Sequence, residues 1–147
     1  MRSAADAGHI DTLRIERSMA GLAQLGDWVD TVTAALGLGK AAEYAVRLCV
    51  EEATVNVVMH GVAEGAADND AGFVVLRVEP AQDALRVTVE DRCGAFDPLH
   101  APPPEPPIDL ETARVGGLGI HLMRQYARAI SYERAGDTNR LTLTIAR

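Results

Sequence analysis

One face of a single predicted helix carries three polar side chains that could act together on a substrate. Glu52, Asn56 and His60 follow one another at intervals of four residues, which places successive members about 40° apart around the helix axis. Glu51 lies about 100° from Glu52 and belongs to another face. Because the residues between them are mostly apolar, these polar groups need partners. Three interpretations of Glu52, Asn56 and His60 are open: an exposed polar stripe, a set of side chains with satisfied hydrogen bonds, or a cation-binding amide beside a general base.

Two further segments have the composition of ligand-binding turns. A predicted strand ends at Asp91 and is followed by Arg92, Cys93 and Gly94. An aspartate in this place is often only a turn former, but it can also accept a hydrogen bond from a ligand that Gly94 lets the backbone approach. Residues 116–120 begin a helix with three glycines, and free amides in the first turn of a helix attract phosphate.

The common phosphate-binding fingerprints do not fit this sequence. Lys40 is the only lysine, and it lacks the upstream glycine and the following serine or threonine of a P-loop. No predicted strand leads directly into residues 116–120, as a dinucleotide-binding fingerprint requires. A phosphate site in this chain would therefore depend on backbone amides and a metal ion.

The elements that must position these residues follow from the spacing of apolar side chains. Ser18 is a plausible N-cap, and helical spacing predicts helices at residues 19–36, 40–60 and 118–128. Alternation with period two predicts strands at residues 73–79, 85–91, 130–134 and 140–145, and an edge strand at 10–15. Six prolines exclude regular structure from residues 92–115. The order of elements predicts an α+β fold, a two-layer sandwich in which helices cover one face of a mostly antiparallel sheet.

The order of these motifs resembles the GHKL ATP-binding superfamily, which includes gyrase-type topoisomerases and the catalytic domains of histidine kinases. The resemblance is strongest to the anti-sigma-factor serine kinases and their small stand-alone relatives. The resembling stretches are EEATVNVVMHG from residue 51, DRCGAFDP from 91, GGLGIHLM from 116 and YERAGDTNRLTL from 132. The resemblance implies a Bergerat-type sandwich and a single histidine-kinase-like ATPase domain over residues 1–147, with 1–8 frayed and an ATP lid at about 98–115.

The resemblance also implies how the phosphates of ATP would be handled. Asn56 would coordinate Mg²⁺ that bridges the phosphates, and Glu52 would be the general base that takes the proton of an attacking serine hydroxyl or water. This agrees with the chemistry of phosphoryl transfer, which needs positioning and charge neutralisation and not a lysine.

The same resemblance assigns the remaining ATP-binding residues. Asp91 would accept a hydrogen bond from the exocyclic amino group of adenine, which favours adenine over guanine, and Gly94 would lie close to the nucleotide. Gly117 and Gly119 would lie under the phosphates, and Thr142 on the last strand is a weaker candidate for the adenine pocket.

One residue departs from the family pattern. Relatives have Asp-x-Gly where this chain has Asp91, Arg92 and Cys93, with Gly94 one place late. Either the turn is shifted by one residue, or the Cys93 side chain narrows the space for the purine.

Size, charge and composition limit the remaining possibilities. A chain of 147 residues with 48% hydrophobic and 24% charged residues can form one domain with its own core. Its net charge of −7 disfavours direct binding to nucleic acid. Two widely separated cysteines suggest neither zinc nor a disulfide framework. The sequence has no secretory signal and no apolar stretch that could span a membrane, so a cytoplasmic location is expected.

Three functions stay open at this point. The first is an anti-sigma-factor-like serine kinase that binds Mg-ATP, holds a sigma factor as its partner and phosphorylates a serine on an anti-sigma-factor antagonist, with a homodimer possible. The second is a regulatory binding module of the same fold with weak or lost ATP binding. The third, the catalytic half of a histidine kinase, is disfavoured because the chain contains no dimerisation and phospho-acceptor helix pair.

Overall fold

Five antiparallel strands form one layer of the fold, and helices pack on one face of that sheet. The computed structural model describes residues 11–60, 72–100 and 119–147. The helices are α1 (Met19–Leu22), α2 (Leu25–Ala35), α3 (Lys40–His60) and α4 (Gly119–Tyr126). The strands are β1 (Asp11–Glu16), β2 (Phe73–Ala81), β3 (Ala84–Asp91), β4 (Ala129–Ala135) and β5 (Thr138–Ala146). Their order in the sheet is β1-β2-β3-β5-β4, so the predicted α+β sandwich is confirmed.

The register of the central strands decides which side chains face the helices. On β3, Asp91 lies opposite Asn139 of β5, and Val89 lies opposite Leu141. Since side chains alternate along a strand, the buried row of β5 is Asn139, Leu141, Leu143 and Ile145. The sheet therefore delivers Asp91 and Asn139 side by side to the helix-covered face, at the end of the sheet where β3 stops.

The core between the sheet and the helices is formed by branched aliphatic side chains. Leu76, Leu85 and Leu143 are fully buried on the sheet, and Val46 and Val50 of α3 pack against the same cluster. Shortening one of these leucines to alanine typically costs about 2–5 kcal/mol of stability. This packing fixes α3, which carries Glu52 and Asn56, over the middle of the sheet.

The predicted helix at residues 19–36 is wrong in one respect, because it is divided into α1 and α2. Ser18 is the N-cap of α1, and its hydroxyl oxygen accepts a hydrogen bond from the Gly21 N–H at 3.1 Å. Gly21 lies so close to β1 that a Cβ there would meet the Glu16 carbonyl oxygen at 1.9 Å. The first turn is thus held against β1, and the chain starts a new helix at Leu25 to reach the core.

Ion pairs cross the face of the sheet that lies opposite the core. Glu90 of β3 pairs with Arg77 of β2 at 2.8 Å and with Arg140 of β5 at 3.0 Å, and Arg140 also approaches Glu133 of β4 at 3.5 Å. Burial alone would raise the pKa of Glu90, but the hydrogen bonds and charges of the two arginines outweigh it, so its pKa is lowered. This row of alternating charges stabilises the ionised carboxylate of Glu90.

Some predictions concern residues outside the described ranges. These are the predicted fraying of residues 1–8 and the part of the predicted lid at residues 101–115. At the start of the predicted lid, Pro98–His100 forms a single 3-10 turn. Among the described helices, none combines the length and the apolar character needed to cross a lipid bilayer.

Candidate functional site

A cavity lies between the middle of α3 and the ends of β3, β4 and β5. It brings together three of the predicted site residues, Asn56, Asp91 and Gly94. Its apolar lining includes Ala53, Val57, Val89 and Leu141. A mainly apolar cleft with a few convergent polar groups is the usual form of a small-molecule site.

Asp91 is one of two buried polar residues, with Asn139, in the described lining of this cavity. Asp91 is only 8% exposed. Its Oδ1 accepts hydrogen bonds from the Cys93 N–H at 3.0 Å and from the Asn139 side-chain amide at 2.9 Å. The first of these bonds closes a turn that an aspartate typically forms with the residue two places on. Asp91 is therefore both a turn former and an acceptor directed at the cavity, two interpretations that the sequence left as alternatives.

Cys93 occupies the third position of that turn, which settles the question of its register. Its own N–H makes the bond to Asp91, so the turn is not shifted onto Gly94. The φ angle of Cys93 is not positive, and a glycine is not required there by the backbone. The side chain is 2% exposed and lines the cavity, as expected if it narrows the space for a ligand.

The thiol of Cys93 is coupled to the Asp91 carboxylate. Burial raises its pKa to about 11, and the charge of Asp91 together with a hydrogen bond between the two side chains adds to the rise. At neutral pH Cys93 is thus a protonated thiol, which is a weak donor, and it gives its hydrogen to the carboxylate that a ligand would need.

Glu52 lies one helical turn before Asn56 and is half-buried. Burial raises its pKa, and the neighbouring charge of Glu51 raises it further. The first residue of α4 packs directly against it, since a Cβ built on Gly119 would lie 2.6 Å from Glu52 Oε2. A half-buried carboxylate whose pKa is raised can take up a proton more readily near neutral pH than an exposed one.

Two other candidates of the sequence analysis do not line this cavity. The prediction for Thr142 is wrong in geometry: it alternates with buried Leu141 and Leu143, so its side chain points to the opposite face of the sheet. His60 is exposed at the end of α3 and does not line the cavity. Gly117 lies outside the described residues.

The side chains available at the site determine which metal ions it could hold. In the described ranges, no group of three or more His, Cys, Asp or Glu side chains is arranged to hold a metal ion. Mg²⁺ does not need such a group, because it commonly binds through one or two protein oxygens together with substrate phosphates and water. The Asn56 amide in the cavity fits that role as a single protein ligand.

Two residues of the site were missed in the sequence analysis, Asn139 and Tyr132. Both line the cavity, and the Tyr132 hydroxyl donates to Asn139 Oδ1 at 2.5 Å. Alternation along β5 could have placed residue 139 on the same face as Leu141. The register that sets it beside Asp91 depends on pairing between strands that are 48 residues apart in the chain.

Comparison with known proteins identifies the family. The histidine kinase-like ATPase domain family matches residues 15–145, and the chain belongs to this family. The chain is 27% identical over 134 residues to the serine/threonine-protein kinase BtrW of Bordetella bronchiseptica, a match that covers 91% of this chain and 92% of that protein.

A solved structure shares the fold. The RsbU and RsbW domains of a Mycobacterium tuberculosis protein match with a TM-score of 0.60 and 17% identity over 94% of this chain. This chain spans about a third, 32%, of the length of that structure. At this identity the likeness concerns the fold alone, and it agrees with the sheet and helix arrangement described above.

Proposed function

We propose that this protein is an anti-sigma-factor-like serine kinase. It binds Mg-ATP, holds a regulatory partner such as a sigma factor, and transfers the γ-phosphoryl group to a serine of an antagonist protein. The observation that carries the proposal is the cavity that joins buried Asp91 to Asn56. Glu52 does not line this cavity, but it lies one helical turn before Asn56 and against the start of α4.

The adenine end of the proposed ATP site is formed by Asp91. Its Oδ1 accepts hydrogen bonds from the Cys93 N–H and the Asn139 amide, so the carboxyl group acts as an acceptor in this structure. Adenine presents an amino group that can donate to it, whereas guanine presents a carbonyl oxygen at the corresponding position. The apolar lining around Asp91 suits the flat faces of a purine.

The phosphate end is formed by Asn56 and Glu52. The Asn56 amide oxygen would hold Mg²⁺, which supplies charge neutralisation to the phosphates when bound. Glu52 would accept the proton from the serine hydroxyl as that oxygen bonds to the γ-phosphorus and the bond to ADP breaks. A general base works best when its pKa lies near the pH of the reaction. The raised pKa of Glu52 is a change in that direction.

The choice of a protein substrate comes from the relatives. BtrW is named a serine/threonine-protein kinase and is matched over nearly its whole length. We therefore propose the same activity here, in a single cytoplasmic domain over residues 1–147 with a lid at about 98–115. The net charge of −7 supports protein partners over nucleic acid.

Calorimetric titration of the purified protein with ATP and GTP, with and without Mg²⁺, tests the nucleotide site. We expect ATP to bind much more tightly than GTP, and Asp91→Asn to weaken ATP binding by more than about tenfold. Asn56→Ala is expected to remove the effect of Mg²⁺. Thr144→Ala, on the opposite sheet face, is the matched control. Equal affinity for the two nucleotides would contradict the role of Asp91.

A transfer assay with a phosphorylatable antagonist protein tests the kinase. Glu52→Ala should retain ATP binding and lose transfer by about 10²–10⁴-fold, the usual contribution of a general base. An unimpaired Glu52→Ala variant would refute the assignment.

A second function is favoured by one observation, the Cys93 thiol against Asp91. In a regulatory binding module of the same fold, this thiol would hold the carboxylate in place of a nucleotide. The absence of transfer by wild-type protein, together with weak ATP binding, would favour this module over the kinase.

A further inference from the structure

The side-chain amide of Asn139 joins the strands that border the cavity to the turn that follows Asp91. Its Nδ2 lies 2.9 Å from Asp91 Oδ1, 3.0 Å from the Gly94 carbonyl oxygen and 3.3 Å from that of Cys93. Asn139 is only 5% exposed. One buried NH₂ group on β5 thus contacts three acceptors of the same turn. None of these acceptors belongs to the β4–β5 hairpin, so the contacts link the hairpin to the turn.

The other end of the amide is fixed by donors. Asn139 Oδ1 accepts from the Tyr132 hydroxyl at 2.5 Å and lies 3.5 Å from the Phe96 N–H. Because the acceptors surround Nδ2 and the donors surround Oδ1, only one orientation of the amide satisfies the network. The Cys93 and Gly94 carbonyl oxygens and the Phe96 N–H fix this orientation, and the Tyr132 hydroxyl, which could donate or accept, supports it by donating to Oδ1.

The turn has a second attachment to the same hairpin. Arg134 of β4 donates from Nη1 to the Cys93 carbonyl oxygen at 2.7 Å. The Cys93 backbone is thus held at its N–H by Asp91 and at its carbonyl by β4 and β5.

We propose that Asn139, supported by Tyr132, is a positioning residue that holds the Asp91 carboxylate and its turn in the geometry that discriminates between purine bases. With Oδ1 of Asp91 fixed to Nδ2, rotation of the carboxylate is restricted, and the direction from which a ligand can donate is set. The ligand part of this inference rests on the proposed ATP-binding function, whereas the positioning part concerns the nucleotide-free protein.

Amide hydrogen exchange of the nucleotide-free protein tests the positioning. We expect the Cys93 amide to be protected in the wild type and to exchange at least about tenfold faster in Asn139→Ala, because the loss of two to three hydrogen bonds frees the turn. Tyr132→Phe removes only the hydroxyl and should show a smaller change in the same direction. Ser131→Ala, on the opposite face of β4, is the matched control and should match the wild type. Unchanged Cys93 exchange in a folded Asn139→Ala variant would overturn the proposal.

Nucleotide selectivity tests the second part. In Asn139→Ala the ratio of the dissociation constants for GTP and ATP should fall by about tenfold, and in Tyr132→Phe by less. A purely structural role would lower the melting temperature and leave this ratio unchanged, which would refute the selectivity claim. If the wild type binds no ATP, the proposed function fails, and the exchange measurement still decides whether Asn139 positions the turn.

Discussion

Replacement of Cys93 gives a sharp test of how this cavity works, because one thiol hydrogen bond competes with a ligand. The Cys93 side chain lines the cavity and gives its hydrogen to Asp91. A nucleotide that donates to the same carboxylate has to displace it. Removal of the thiol should therefore strengthen ATP binding.

The size of the effect follows from the kind of bond. Most hydrogen bonds contribute about 0.5–1.5 kcal/mol net, and a thiol is a weak donor. We therefore assign about 0.5–1 kcal/mol to the competition, which corresponds to about two- to fivefold in the dissociation constant. Opening space beside the purine adds to this in the same direction.

Three variants separate the causes. Cys93→Ala removes the donor and should gain most of the affinity, while Cys93→Ser keeps a donor and should gain none. Cys93→Gly should bind at least as tightly as Cys93→Ala, and it gains nothing from backbone relief because φ at Cys93 is not positive. Its fold stability should fall by about 0.5–1 kcal/mol beyond that of Cys93→Ala, owing to the entropy of the unfolded chain.

Calorimetry is the appropriate assay, since the melting temperature would report the lost stability instead of the gained affinity. A strong gain from a weakly binding wild type would favour a module that has diverged from ATP binding. Tight binding by the wild type that is unchanged in Cys93→Ala would refute the competition and favour the kinase.

Further substitutions test the other parts of the structure. In Gly119→Ala the new methyl group must displace Glu52 Oε2, so we expect phosphoryl transfer to fall by about tenfold or more and to fall by more than ATP affinity does; a larger loss of affinity than of rate would refute this. Because burial and Glu51 raise the pKa of Glu52, the folded state favours its protonated form, and that stability is lost as pH rises through the folded pKa. Glu52→Gln should therefore be more stable than the wild type at neutral pH and not below about pH 4, near the unfolded pKa; melting curves at several pH values would reveal the opposite trend if the reasoning is wrong. Glu90 has a lowered pKa, so its contribution is present above its unfolded pKa of about 4.3 and is lost as pH falls through the folded pKa. Glu90→Gln should accordingly destabilise the protein at neutral pH and much less in acid, and a constant difference across pH would contradict the ion-pair account.

Local patterns were sufficient to predict most of the fold. The buried face of α3 and the alternation of β2, β3 and β5 follow from apolar spacing, which depends on neighbouring residues. The break between α1 and α2 was not predictable in this way, because it depends on the approach of Gly21 to the backbone of Glu16 across the fold.

The site was predictable only where a local motif carries the residue. Glu52, Asn56 and Asp91 belong to such motifs, although their roles stay predictions. Asn139 was missed and Thr142 was misplaced for the same reason: which residue of β5 stands beside Asp91 is decided by strand register. Register is set by packing of the whole sheet, and a shift of one residue exchanges the two faces.

The contact between Gly119 and Glu52 has a consequence for how sequences of this kind can diverge. Because a Cβ on residue 119 would lie 2.6 Å from Glu52 Oε2 and would have to move that carboxylate, substitutions at the two positions should be correlated. A larger residue at 119 shifts the Glu52 carboxylate unless residue 52 has been shortened, and shortening residue 52 removes the proposed base. If Glu52 is the base, a lineage that gave up phosphoryl transfer would be released from both constraints at once, and the two residues would then be free to change together.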